Sequence, residues 1–204
     1  MMDLILASTS PRRRDLLRRL GFRFRIVAPV ASEEPEAVGL KAGSAPKRYA
    51  VACAKAKATS VAAFYGNSRS GQHAGPGWVV GVDTIVVCGR RTLGKPRSRA
   101  EASRMLNMLS GRTHTVVSAV AVVRMPEGNV LAASESTQVT FRKLGGDEIE
   151  RYVAGPEPYD KAGAYGIQEQ ASIFVSRVSG CLLNVVGLPV PLLLKLLRDS
   201  GWRQ

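Results

Sequence analysis

Ala7-Ser8-Thr9-Ser10-Pro11-Arg12-Arg13 joins an apolar run to a helical pattern. Free backbone N–H groups at a helix start bind anions, and the hydroxyls of Ser8 and Ser10 and the guanidiniums of Arg12 and Arg13 add donors. No Gly-rich phosphate loop ending in Lys-Ser/Thr is present, so the turn is not a Walker A motif. Asp83-Thr84 follows the apolar run Trp78-Val79-Val80-Gly81-Val82, and Asp83 is the sole carboxylate between residues 37 and 100. Burying an Asp there requires a cation or strong donors nearby. At a strand end it suits a divalent cation or the orientation of a water. Gly94-Lys95-Pro96 fixes a lysine between two conformationally distinctive residues; it reads as a phosphate contact or as a solvated turn lysine. Asp160-Lys161-Ala162-Gly163-Ala164-Tyr165-Gly166-Ile167-Gln168 combines two charges, two glycines and an aromatic, which points to close backbone approach to a ligand. Asn184-Val185-Val186-Gly187-Leu188-Pro189 by itself reads as structural.

These segments need a scaffold, and the hydrophobic pattern supplies one. Leu4–Ala7 predicts a buried strand, followed by a helix with Ser10 at its N-cap, Pro11 at its first position and a stop at Gly21. Phe22–Val27 alternates Phe22 and Phe24 with Arg23 and Arg25, as a half-buried strand does. An Ala-rich helix carrying Lys55 and Lys57 runs from Pro46 to about Tyr65. Trp78–Val82 and Ile85–Cys88 read as a strand interrupted at Asp83-Thr84. A helix over Arg99–Leu109 precedes a long hairpin, Thr115–Arg124 and Val130–Arg142, turning at Pro126-Glu127-Gly128-Asn129. A short helix at Asp147–Val153, a loop over Gly155–Gln170, a strand at Ser172–Val178 and a helix at Pro189–Arg198 complete the chain. The alternation with a long hairpin predicts a mixed α/β sheet with helices on its faces, in one domain over residues 1–204. The segment Gly66–Gly77, rich in Gly, Ser and Pro, predicts a mobile surface loop.

Composition narrows the classes further. Of 204 residues, 29 are Lys or Arg and 16 Asp or Glu, a net charge of +13, and 45% are hydrophobic. That apolar content suffices for a core and argues against disorder. Cys53, Cys88 and Cys181 cannot all pair and form no C-x-x-C, so neither a disulfide framework nor a zinc site is expected; they read as buried small hydrophobes in a reducing compartment. No apolar run spans a bilayer and no signal peptide is evident, which predicts a cytoplasmic protein without a membrane partner. Seven arginines and only Asp15 lie between residues 12 and 25. They fit a polyanionic partner or a solvated helix face. Without interleaved aromatics and a recognised motif, a basic nucleic-acid-binding protein is the weaker reading.

Taken together, and in this order, Ser8-Thr9-Ser10-Pro11-Arg12-Arg13, Asp83-Thr84, Gly94-Lys95-Pro96, Leu109-Ser110-Gly111, Asp160 through Gln168 and Asn184 through Pro189 resemble the Maf-like nucleoside triphosphate pyrophosphatases, the septum-formation inhibitor family. The resemblance implies an elongated, two-lobed α/β architecture akin to the inosine triphosphatases, with a mixed twisted sheet, flanking helices and a central cleft. It implies a homodimer that converts a nucleoside triphosphate to the monophosphate and pyrophosphate with a divalent cation, Mg²⁺ or Mn²⁺. Arg12, Thr84 and the Tyr165-Gly166-Ile167-Gln168 loop resemble the branch acting on dTTP and UTP rather than the one preferring 7-methyl-GTP. By that pattern Arg12, Thr84 and Gln168 influence base choice, and the Gln168 amide offers both a donor and an acceptor to a uracil or thymine edge.

The resemblance further implies that Arg12 and Arg13 grip phosphate, that Lys57 and Lys95 complete the clamp, that Ser8, Ser10, Asp160 and Lys161 contact substrate, and that Asp83 is the general base or a metal ligand. Glu33 aligns with a metal-site acid and pairs with Asp83, with Glu34 the alternative in register. Three positions depart from the pattern: Ser32 replaces an acid, Ala56 replaces a Glu, and Glu169 stands where the family has Gly. A carboxylate at 169 would alter base preference or repel triphosphate. His114 reads as a satisfied structural histidine rather than a catalytic one.

Overall fold

The computed structural model describes residues 3–29, 45–66 and 77–203. Seven strands form one mixed sheet: β1 (Asp3–Ala7), β2 (Arg25–Ile26), β3 (Gly77–Cys88), β4 (Arg91–Leu93), β5 (Thr113–Met125), β6 (Asn129–Phe141) and β7 (Val175–Ser179). The order is β2-β1-β3-β5-β6-β7, with β4 added on β3. β1 runs parallel to β2 and β3; the remaining pairs are antiparallel. The helices are α1 (Pro11–Arg19), α2 (Pro46–Gly66), α3 (Arg99–Leu109), α4 (Gly146–Val153), α5 (Leu182–Val186) and α6 (Val190–Asp199).

The long strands pass through two differently packed halves. In one, Leu188 and, from α6, Leu193 and Leu197 cover one face of the sheet, while α2 covers the other with Ala50, Ala54, Ala58 and Val61. In the second half, α3 and α4 pack over Val86, Val116 and Phe141. This is the mixed α/β sheet with flanking helices that the sequence predicts. No helix among the described residues is long and apolar enough to cross a membrane.

β4 and α5 are not expected from the sequence, and three of the expected elements differ. β3 is continuous through Asp83-Thr84, because its antiparallel pairing with β5 runs from Gly77 to Val87 without a break. The strand expected over Phe22–Val27 shrinks to Arg25–Ile26, although Phe22 and Phe24 still turn toward the core while Arg23 is exposed. The strand expected at Ser172 begins at Val175, behind a 3-10 turn over Gln170–Phe174. The loop expected at 66–77 has α2 and β3 at its ends; residues 67–76 lie outside the described set.

α2 lies directly on the backbone of β3. A Cβ added to Gly81 would meet the Ala54 carbonyl oxygen at 2.2 Å and the Ala58 nitrogen at 2.7 Å. Helix backbone cannot rotate away as a side chain can. Gly81→Ala should therefore push α2 off the sheet and lower stability by about 3 kcal/mol in urea unfolding, the upper end of ordinary overpacking.

Candidate active site

The site begins with an opening in the sheet. On the side of β3 away from β5, pairing with β1 ends at Ala7–Gly81 and pairing with β4 starts only at Val86–Leu93. Residues 82–85 thus have no strand partner on that side among the described residues. The opening lies beyond the carboxyl end of parallel strand β1, where α/β sheets place ligands. Successive β3 side chains there point to opposite faces, so Asp83 faces α2 and Thr84 faces α5.

Arg13, from the first turn of α1, fills the opening. It donates to the Val82 and Gly187 carbonyls at 3.0 and 2.9 Å, to Ser8 Oγ at 3.0 Å and to Thr84 Oγ1 at 3.0 Å. Its guanidinium thus ties together β1, β3 and the turn after α5. Ser10 occupies the N-cap position of α1 as expected, but its hydroxyl makes no capping bond.

Asp83 meets α2. Lys57 Nζ donates to Asp83 Oδ1 at 2.8 Å, and the side chains are only 7% and 13% exposed. The pair answers the requirement that an isolated acid in an apolar strand find a cation. Cys53, one turn before Lys57, lies beside the carboxylate. Burial and the negative charge of Asp83 push its thiol up to about 12, so this cysteine is an inert neighbour rather than a nucleophile.

The opposite wall comes from the Asp160 loop. Arg12 donates to Asp160 Oδ2 at 2.7 Å and to its carbonyl at 3.2 Å, spanning 148 residues of sequence. Buried Lys161 donates to Asp160 Oδ1 at 2.7 Å and to the Glu157 carbonyl at 2.8 Å, and pairs with Glu169 at 3.1 Å. Burial pushes the Asp160 carboxyl up, but the bonds from Lys161 and Arg12 outweigh it and hold the group below its ordinary value. Glu169 is paired with Lys161 and is not among the residues lining the cleft. Gly166 lets the Lys161 stem pass, since a Cβ there would stand 2.6 Å from Lys161 Cε. The Gly163 N–H donates to the Gly94 carbonyl at 3.0 Å, which anchors the turn carrying Lys95 to the same loop.

These parts enclose a cleft of about 560 Å³. Ser8, Ser10, Arg12, Arg13, Lys57, Asp83, Thr84, Lys95, Asp160, Lys161 and Gln168 all line it. Glu33 and Glu34 lie outside the described residues. Tyr49 and Arg97 also line the cleft and were not singled out from sequence. Six cationic side chains face two carboxylates among the described lining residues, a balance suited to a polyanion. Of the remaining arginines near α1, Arg18, Arg19, Arg23 and Arg25 are exposed and Arg14 is half-buried.

The donor set also bears on a divalent cation. No group of three His, Cys, Asp or Glu residues occurs among the described residues. Mg²⁺ and Mn²⁺ favour oxygen donors, and Mg²⁺ commonly takes only one or two carboxylates together with substrate phosphates and water. Asp83, with one oxygen bonded to Lys57 and its neighbours lining an anion-sized cleft, fits that sparse arrangement.

His114 sits behind the cleft wall, 2% exposed, with Nε2 at 2.8 Å from the Tyr165 hydroxyl and the ring edge-on to Phe141. Burial lowers its pKa from 6.5 to about 4. The unfolded chain therefore takes up a proton in that window that the fold refuses. The associated stability is complete above pH 6.5 and declines as pH falls toward about 4, by about 1.4 kcal/mol per pH unit. Urea unfolding at pH 7 and pH 5 should show His114→Phe losing about 2 kcal/mol less than the unmodified chain over that interval.

A mixed α/β sheet with a cation-rich cleft at a sheet opening defines a polyanion-binding type of site. The profile of the family described as "Maf-like protein" matches residues 3–200. The chain is 48% identical over 201 residues to a dTTP/UTP pyrophosphatase of Moorella thermoacetica, covering 98% of this chain and 96% of that one. It is 42% identical to one from Bacillus anthracis over 98% and 96% of the two chains. Against another from Carboxydothermus hydrogenoformans it is 39% identical over 98% and 100%. The chain belongs to the Maf family.

Proposed function

We propose that this chain is a nucleoside triphosphate pyrophosphatase that hydrolyses dTTP and UTP to the monophosphate and pyrophosphate, with modified pyrimidine nucleotides as further substrates in a pool-sanitising role. The observation that carries this reading is the convergence of the Asp83–Lys57 pair, the first turn of α1 and the Asp160 loop on one cleft. The relatives named dTTP/UTP pyrophosphatase support the same reaction and base class.

In the proposed reaction a water oxygen bonds to the α-phosphorus while the bond to the α–β bridging oxygen breaks and pyrophosphate leaves. Asp83 accepts the water proton and passes it to solvent. Lys57 holds that carboxylate in place. The substrate carries about four negative charges, and a cation 4 Å from one of them is worth about 4 kcal/mol at an effective dielectric of 20. Lys95, Arg97 and Arg12 supply such charges, the last by exchanging Asp160 for phosphate; Arg13 acts by holding the opening in shape. In the alternative role Asp83 would instead hold a divalent cation, Mg²⁺ or Mn²⁺, together with Glu33, and the cation would neutralise the triphosphate and acidify a bound water. The unpaired Cys53 and Cys88 support a reducing, cytoplasmic setting. Exposed Ile173 and Leu182, either side of edge strand β7 in sequence, support a homodimer.

Pyrophosphate release should be followed across UTP, dTTP, CTP and 7-methyl-GTP with Mg²⁺ and with Mn²⁺. UTP and dTTP should be turned over at least tenfold faster than the others. A preference for CTP or 7-methyl-GTP would overturn the base assignment, and no pyrophosphate from any of them would overturn the reaction.

A further inference from the structure

Thr84 borders the cleft with its hydroxyl among three neighbours. Arg13 Nη2 donates to Thr84 Oγ1 at 3.0 Å, Ser118 Oγ lies 2.9 Å away, and the Gly187 carbonyl lies at 3.4 Å. Ser118, fully buried, has a single proton. The Asn184 carbonyl, which can only accept, lies 3.0 Å from Ser118 Oγ. Were Ser118 to donate to Thr84, its oxygen would face the Asn184 oxygen with no proton between them, and Thr84 would be left the longer bond to Gly187. The arrangement that bridges both short contacts runs from the Thr84 O–H to Ser118 Oγ, and from the Ser118 O–H to the Asn184 carbonyl.

Asn184 fixes the far end of this row. Its Oδ1 accepts from the Ser118 backbone N–H at 3.2 Å, and its Nδ2 donates to the Val116 carbonyl at 3.0 Å and to Thr137 Oγ1 at 2.9 Å. A flipped amide would set N–H against N–H. Thr137 donates onward to the Cys181 carbonyl at 3.1 Å. Every hydroxyl proton in the row therefore points away from the cleft. With Arg13 on one lone pair, Thr84 Oγ1 keeps one lone pair and no proton for a ligand.

We infer that Ser118 is a positioning residue that makes Thr84 an acceptor-only contact, so that Thr84 takes a hydrogen-bond donor of the nucleoside and not a phosphate oxygen. This rests on the nucleotide reading above and adds which chemistry the Thr84 position selects. Phosphate oxygens at neutral pH only accept. UTP can donate from its imide N3–H or from a ribose hydroxyl, and two probes separate these sources: 3-methyl-UTP lacks the imide proton, and 3′-deoxy-UTP lacks the sugar hydroxyl that dTTP and UTP share.

The test measures kcat and KM for UTP and both probes with the unmodified chain, Ser118→Ala and Thr84→Val. In the unmodified chain one probe should raise KM at least tenfold; that probe identifies the donor. In Ser118→Ala the Thr84 proton loses its short acceptor, keeps only the long contact to the Gly187 carbonyl and is no longer pinned away from the cleft, and the discrimination should shrink at least fivefold. A purely structural role would change all three substrates alike and preserve the ratio, which would overturn the inference. Thr84→Val keeps the side-chain shape without the hydroxyl and should abolish the discrimination; if Ser118→Ala does not fold, Ser118→Cys, whose sulfur is a weak acceptor, should shrink it and an unchanged ratio would overturn the inference. Equal KM for UTP and both probes in the unmodified chain would overturn the inference while leaving the pyrophosphatase reading intact. Absence of UTP turnover would overturn both.

Discussion

Asp83→Asn should lower kcat for UTP on the order of 10³-fold, about 4 kcal/mol of barrier, within the range for loss of a general base. The substitution is nearly isosteric and retains an oxygen that can accept the 2.8 Å bond from Lys57. What it loses is the second proton acceptor and the charge. Thermal unfolding should therefore report a modest loss, about 1–3 kcal/mol, from weakening a bond to a charged group. A variant that is folded and nearly inactive assigns the effect to chemistry. A kcat within threefold of the unmodified chain would remove Asp83 from the reaction.

Lys57→Met should be the more damaging change to the fold. The ammonium is almost enclosed by α2 and β3, and its loss leaves the Asp83 carboxylate, 13% exposed, without its cation. Breaking one side of a buried pair costs about 3–5 kcal/mol; the access of Asp83 to the cleft places the expectation near the lower end, about 3 kcal/mol. Activity should fall as well, since the carboxylate loses its support. Adding Asp83→Asn to Lys57→Met removes the unpaired charge and should restore much of the stability and none of the turnover. Urea unfolding of the two single variants and the double variant measures this coupling. Additive losses would mean that the two side chains do not act as a pair.

Much of the fold was legible because its elements obey simple periodicity. The helix expected over Arg99–Leu109 has those limits, with Ser98 capping Glu101 N. The hairpin strands differ only by a residue or two at their ends. β3 was misread for a physical reason: Asp83-Thr84 looks like a break, but the pairing with β5 holds the backbone extended. What is interrupted is the other edge of the strand, and β4, three residues long, gives almost no signal of its own.

The site was legible where chemistry-bearing types cluster in short segments. It was not legible where identical types do different things. Arg12 and Arg13 are neighbours in sequence, but successive helical residues point about 100° apart. One reaches the Asp160 loop and the other fills the sheet opening. Ser118 was passed over inside the apolar run Val116–Val123, whereas Asn184 read as structural and is buried, bracing Ser118, Val116 and Thr137. Their signal is the cost of burying a polar group in such surroundings, which demands partners without naming them. Glu169 reads from sequence as a lone charge near the substrate, and its partner Lys161, eight residues earlier, shows only in the folded loop.

The central claim is that this cleft directs water to the α-phosphorus of a pyrimidine nucleoside triphosphate. Hydrolysis of UTP in water enriched with heavy oxygen, with mass analysis of both products, tests it directly. The label should appear in UMP, with unlabelled pyrophosphate released in equal amount. Label in pyrophosphate, or UDP and inorganic phosphate as products, would contradict it.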